Sequence, residues 1–131
     1  MESILVSMTT AIMDTKTVTA TTAADKAMAI TRGGGVSLQL ITTLATGTWK
    51  IYGSNKPGDD INRSAGSDIT ASFTQGDGEA VANPAGSATS QIVQAGGCFF
   101  AYIWAQLEGA SGGGAASVYG NEVPVVPAGA Q

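Results

Sequence analysis

The sequence predicts an all-β chain: an antiparallel β-sandwich, jelly-roll-like, of about eight short strands with extended termini. Three observations lead there. Residues 36–44 alternate without a break, Val36, Leu38, Leu40, Thr42 and Leu44 on one side and Ser37, Gln39, Ile41 and Thr43 on the other. A period of two belongs to a half-buried strand and excludes an amphipathic helix. Turn signals recur at close spacing, among them Gly33-Gly34-Gly35 and Pro57-Gly58. No stretch carries a convincing helical period, and many short strands between close turns are the pattern of a sandwich. At 131 residues the chain is one domain by length, large enough to bury a core without disulfides or metals. Residues 1–122 are assigned to that domain and 123–131 to an extended C-terminal tail.

Taken in order, residues 3–13 form a first strand candidate, with Ile4, Val6 and Met8 on one face and Leu5 on the other. Residues 16–23 alternate again, Val18 and Ala20 inward, in a Thr- and Val-rich run that favours a strand. Residues 26–31 place Met28 and Ile30 on one face before the glycine turn at 33–35. After the 36–44 strand, Ala45-Thr46-Gly47 suits a short hairpin connection. The expectation is that 36–44 pairs antiparallel with the next strand, TWKIYGSN at 48–55, where Trp49 and Ile51 are the core anchors. A polar loop follows at 56–67. Residues 68–74, DITASFT, read as a strand with Ile69, Ala71 and Phe73 on one face. A Gly-rich loop covers 75–87, then a strand at 88–94 puts Ile92 or Val93 inside. Residues 98–107, CFFAYIWAQL, are apolar on both faces and read as a central strand. Phe99, Ala101, Ile103, Ala105 and Leu107 share one face; Cys98, Phe100, Tyr102, Trp104 and Gln106 share the other. A glycine turn leads to the last strand at 115–121, with Ala116, Val118 and Gly120, or the alternate set, inward. The tail VPVVPAGAQ cannot be a central strand because Pro124 and Pro127 lack ladder donors.

Composition narrows the function classes. Charged residues make up 12%, about half the usual share, and a surface of Ser, Thr, Ala and Gly suits a protein that spends its life in an assembly. Six basic residues lie scattered singly against ten acids, for a net charge of −4; nucleic-acid binding wants a basic stripe. No apolar run reaches the ~18 residues of a membrane span, and Met1-Glu2-Ser3 has no basic leader segment, so no signal peptide is expected. The expected product is made in a cytoplasm and is soluble there, with no membrane partner.

No catalytic constellation emerges. There is no histidine, and Cys98, the single cysteine, lies in an apolar run as a small hydrophobe. Serine or cysteine triads are thus excluded in their usual form. Asp59-Asp60 and Asp77-Gly78-Glu79 offer two carboxylates each, too few for calcium. The glycine triplets do not lie between a strand and a helix and are turns, not phosphate cradles. No enzyme activity, cofactor or metal is expected. Tyr102 and Trp104, opposite the Ile103/Leu107 face, are candidates for an exposed interface or sugar-stacking surface.

The order IYGSN, polar loop, short strand, FFAYIWAQL and EGASGGGAASVYGN resembles small β-sandwich proteins of tailed-bacteriophage virions, over roughly residues 35–121. In this chain Lys56 follows Gly53-Ser54-Asn55 where those proteins often carry Asp, and the aromatic strand lacks their usual arginine. The resemblance implies a capsid decoration (cement) protein on the outer surface of the major capsid protein, without enzymatic activity, as a dimer or trimer. It places the protein on the virion surface after synthesis in the host cytoplasm. Ile4 and Val6 in the first strand, and Val123, Val125 and Val126 in the tail, are then candidate arms able to add to a neighbouring sheet edge. A carbohydrate- or receptor-binding module of a phage tail or spike is the competing expectation, and another head or tail subunit a third.

Overall fold

The computed structural model describes residues 9–19, 21–31, 34–44, 46–58, 66–83, 90–97, 100–110 and 113–123. Ile4, Val6, Ala20, Cys98, Val125 and Val126 lie outside them, as does the backbone before Thr9 and after Val123. Ten strands are described: β1 (Thr9–Thr17), β2 (Thr21–Thr22), β3 (Met28–Ala29), β4 (Gly35–Thr42), β5 (Thr48–Ser54), β6 (Ser67–Asp68), β7 (Thr74–Gln75), β8 (Ser90–Ala95), β9 (Tyr102–Glu108) and β10 (Ala115–Val123). All pairings are antiparallel, and the strands form two sheets. The first runs β1-β10-β4-β8-β7 and the second β2-β9-β5-β6, with β3 also on β9.

This order is a jelly roll. Its pairs are nested: β1 with β10 outermost, then β2 and β3 with β9, then β4 with β8, and β5 with β6 innermost. The split of β2 and β3 explains why ten segments are seen where about eight strands are expected. Both pair with the same edge of β9, Thr22 opposite Leu107 and Met28 opposite Ile103, while β5 occupies the other edge. They are two halves of one edge strand. Between them the chain steps over to the first sheet, where Asp25 and Lys26 donate their amides to the Ile12 carbonyl at 2.9 and 3.3 Å. That crossing covers one side of the sandwich. On the other side β6 runs through a 3-10 turn at Thr70–Ser72 straight into β7. Short or interrupted edges leave little ladder for a stray strand to join.

The nested order corrects the expected hairpin. β4 and β5 do not pair; β4 lies between β10 and β8, and β5 between β9 and β6. The link from Thr43 to Gly47 crosses from one sheet to the other. Gly47 takes φ +105, and an added Cβ would stand 2.9 Å from Leu107 Cδ1, so only glycine fits that crossing. Trp49 and Ile51 share a core with Leu38 and Leu40 as expected, from the opposite sheet.

Core assignments follow the strand period where the ladder is regular. Val36, Leu38, Leu40 and Thr42 are buried in β4, and Ala116, Val118 and Gly120 in β10. Val93 is the inward residue of β8 and Ile92 is 56% exposed. In β1 the period breaks: Ile12 and Met13 are both fully buried, because the register against β10 shifts between Ala11 and Met13. Such a bulge puts two successive side chains toward one side. A second shift follows, where Thr15 takes φ +47 and donates its amide to Ser117 Oγ at 2.8 Å. The DITASFT strand is also corrected. Only Ser67–Asp68 pairs with β5, and the 3-10 turn leaves Ala71 exposed while Ile69 and Phe73 are buried. Asp68 dictates this, since its Oδ1 accepts from Thr70 N at 2.9 Å and Thr70 Oγ1 at 2.6 Å, bending the chain locally instead of extending it.

Candidate interface at one end of the sandwich

Thr9 of β1 pairs with Asn121, and Val123 closes β10 opposite Gly35, the first residue of β4. The strand that residues 1–8 lead into and the strand that residues 124–131 leave are therefore neighbours at one end of the first sheet. In the second sheet Tyr102 opens β9, opposite Ser54 on one side and Ala29 on the other. A direct contact ties these two rims. Thr31, two residues beyond β3, donates its amide to both Glu122 carboxylate oxygens at 3.0 and 3.1 Å, and its hydroxyl to Oε1 at 3.1 Å. Glu122 is 7% exposed, so these bonds satisfy a carboxylate that burial alone would penalise. Asn55, just past β5, accepts the Ala101 amide at 2.8 Å on the same rim. Tyr102, Val123 and the attachment points of the Ile4/Val6 and Val125/Val126 segments thus gather at one end. Tyr102 is half-buried there.

Trp104 does not behave as an exposed platform. It is 2% exposed, on the outer face of the second sheet. Its ring stacks on Tyr52, the cross-strand partner, with centroids 6.0 Å apart and planes 25° apart. The backbone at Gly66 covers the ring, and a Cβ there would collide with Trp104 Cζ2 and Cη2. The covering comes from a loop distant in sequence, which alternation within 98–107 does not reveal. Beside the stack, Tyr52 donates its hydroxyl to Glu108 Oε2 at 2.6 Å, and Gln106 Nε2 donates to the same oxygen at 2.7 Å. The bond to Glu108, then burial, then the nearby negative charges push the Tyr52 phenol up to about 12. Lys50 and Asp68 form an ion pair at 3.3 Å across β5 and β6. The Thr70 hydroxyl and amide, together with Lys50, hold the Asp68 carboxyl below its usual value. Both partners of the ion pair are more than a third exposed, so the pair itself contributes at most about 1 kcal/mol.

The outer face of the first sheet is different in kind. Three rows cross it: Tyr119–Gln39–Ile92, Ser117–Ile41–Ser90 and Asn121–Ser37–Gln94. None of these side chains is charged, and Ile92 is the one large exposed hydrophobic among the described residues. Depletion of charge is the compositional mark of the centre of a protein contact. Sequence alternation shows which β4 residues face outward; the three-strand alignment that makes a face of them depends on pairings between residues far apart in the chain, Tyr119 with Gln39 and Gln39 with Ile92. Among the loop acids, Asp59 and Asp60 lie outside the described residues, while Asp77 and Glu79 are exposed, the Glu79 amide donating to Asp77 Oδ1 at 3.1 Å.

Comparison with known proteins returns no matching family model, no matching curated sequence and no matching solved structure.

Proposed function

We propose that this protein is a structural subunit of a virion, a capsid decoration protein that docks on the outer surface of a major capsid protein and stabilises the shell. One observation carries the reading: the apolar segments at 1–8 and 124–131 attach to adjacent strands at one end of the sandwich, beside Tyr102. Arms leaving from one rim can reach a partner together, and many modest contacts repeated over a shell add up by avidity. The outer face of β10, β4 and β8, whose rows carry no charged side chain and border Asp14 of β1 through Tyr119, adds a surface for a neighbouring protein or a second copy, in keeping with a dimer or trimer on the shell. Jelly rolls serve as capsid parts and as lectins alike, and fold alone does not choose between them. The covered ring of Trp104 offers no open stacking surface for a sugar, which favours the structural role.

The test is to mix purified protein with undecorated capsids of its phage. Saturable binding and a rise in capsid heat resistance are expected. Deleting residues 124–131 should leave the circular dichroism of the free protein unchanged in shape and weaken capsid binding at least tenfold. No saturable binding of the intact chain, or capsid binding unaltered by the deletion, would contradict the proposal.

A further inference from the structure

The outward face of β4 and β8 carries both a knob and a hole. The knob is Ile92, 56% exposed. The hole is a groove of 240 Å³, lined by Gly35, Val36 and Ser37 of β4 and by Gln94, Ala95 and Gly96 at the exit of β8. Val36 and Ala95 belong to the core, so on the outer side they contribute backbone to the floor, and Gly35, Ser37, Gln94 and Gly96 form the walls. Two of these four are glycines, which leave the space open: a Cβ added at Gly96 meets nothing within 4 Å. The groove far exceeds the ~30 Å³ share of a single water, and none of its lining residues is charged. Ile92, Gln94 and Gly96 are successive exposed positions on β8 and its exit. Knob and groove therefore lie ~7 Å to either side of Gln94 along one strand.

We infer that this face binds a second copy of the chain, with Ile92 of each copy seated in the groove of the other. A two-fold axis lying between two such faces and crossing β8 at Gln94 places each Ile92 over Gly96 of the other copy. Both contacts form at once, and the pair closes as an isologous dimer. Charge points to the same occupant. The chain carries a net −4, so two copies repel where their acids meet, whereas the rows across β10, β4 and β8 bring no charged side chain to the seam. Three strands ~4.8 Å apart, with four outward positions ~7 Å apart on each, give a patch of roughly 400 Å² per copy. That is about half of a standard interface, so the dimer is reversible and dissociates on dilution. The association belongs to the free protein and holds whether or not the protein decorates a capsid.

Sedimentation equilibrium of the full chain tests it. A monomer–dimer equilibrium is expected at concentrations up to ~1 mM. Ile92→Ala and Gly96→Leu should each weaken it at least tenfold, the first by removing the knob and the second by filling the groove from within the chain. Gly96 takes no positive φ and has room for a side chain, so the second variant should keep the circular dichroism of the native protein, as should the first. Mixing the two variants restores one contact between an intact Ile92 and an intact groove. The mixture should therefore associate at least fivefold more tightly than either variant alone. A chain that stays monomeric throughout the range leaves the face to a different protein and overturns the inference. So does a dimer that neither substitution weakens, and so does a mixture that associates no better than its components.

Discussion

Trp49 is the residue on which the core leans most. It is 1% exposed and sits among the large side chains that both sheets send inward. Truncating a buried Trp typically costs 3–5 kcal/mol, a large share of the ~5–15 kcal/mol that holds a domain folded. Trp49→Ala should therefore lower the denaturant midpoint severely or abolish cooperative unfolding; an unchanged midpoint would remove Trp49 from the core. Tyr52 gives a pH signature. Folding raises its pKa from 10.0 to about 12, so the native state favours the protonated phenol. That contribution is fully present below pH 10 and is lost as pH rises toward 12. Unfolding curves of the native chain should weaken across this window more steeply than those of Tyr52→Phe. Equal alkaline slopes would show that the Glu108 bond does not hold the phenol. Asp68 acts in the opposite sense, because its carboxyl is held below the usual value by Thr70 and Lys50. Its contribution is present above the ordinary carboxylate range and fades as acid protonates it.

Among the elements, β3 and β10 are coupled through a single carboxylate. Glu122 receives the amide and hydroxyl of Thr31 from the other sheet. Glu122→Ala removes the acceptor of the Thr31 amide and hydroxyl; Thr31 itself is exposed, so water can replace part of the loss and the cost should be about 0.5–1.5 kcal/mol, the range for an ordinary hydrogen bond. Chemical denaturation measures it, and a loss under 0.5 kcal/mol would show that the contact is incidental. Strand by strand, what the sequence discloses depends on how local the cause is. The β4 period is legible because its two faces differ in polarity at every step. The inward residue of β8 is ambiguous in sequence, since Ile92 and Val93 are both apolar; pairing with β4 and β7 decides for Val93. The β1 bulge hides because two apolar residues in a row break the period that announces a strand. The expected β4–β5 hairpin fails for a topological reason: a short turn and a short crossing between sheets use the same residues. Trp104 is misplaced by sequence for a similar reason, as the loop at Gly66 covers a face that alternation marks as outward. The proposed docking end emerges only when Thr9, Val123 and Tyr102 are brought together by pairings that span most of the chain.

At the scale of the molecule, nested pairing does two things. It fixes a two-sheet body in which β1 and β2, β3 and β4, β4 and β5, β8 and β9, and β9 and β10 lie in opposite sheets, and it pairs the first and last strands side by side. A decoration subunit needs both: a body that does not deform under load, and attachment segments that act together. The central claim is that the end bearing Thr9 and Val123 faces a capsid. Imaging of decorated particles tests it most directly. The expected result is density for the sandwich on the outer surface of the shell, with that end toward the capsid protein and the turns at Gly47 and Gly113 pointing away. Particles without such density, or with the Gly47 end against the shell, would contradict it.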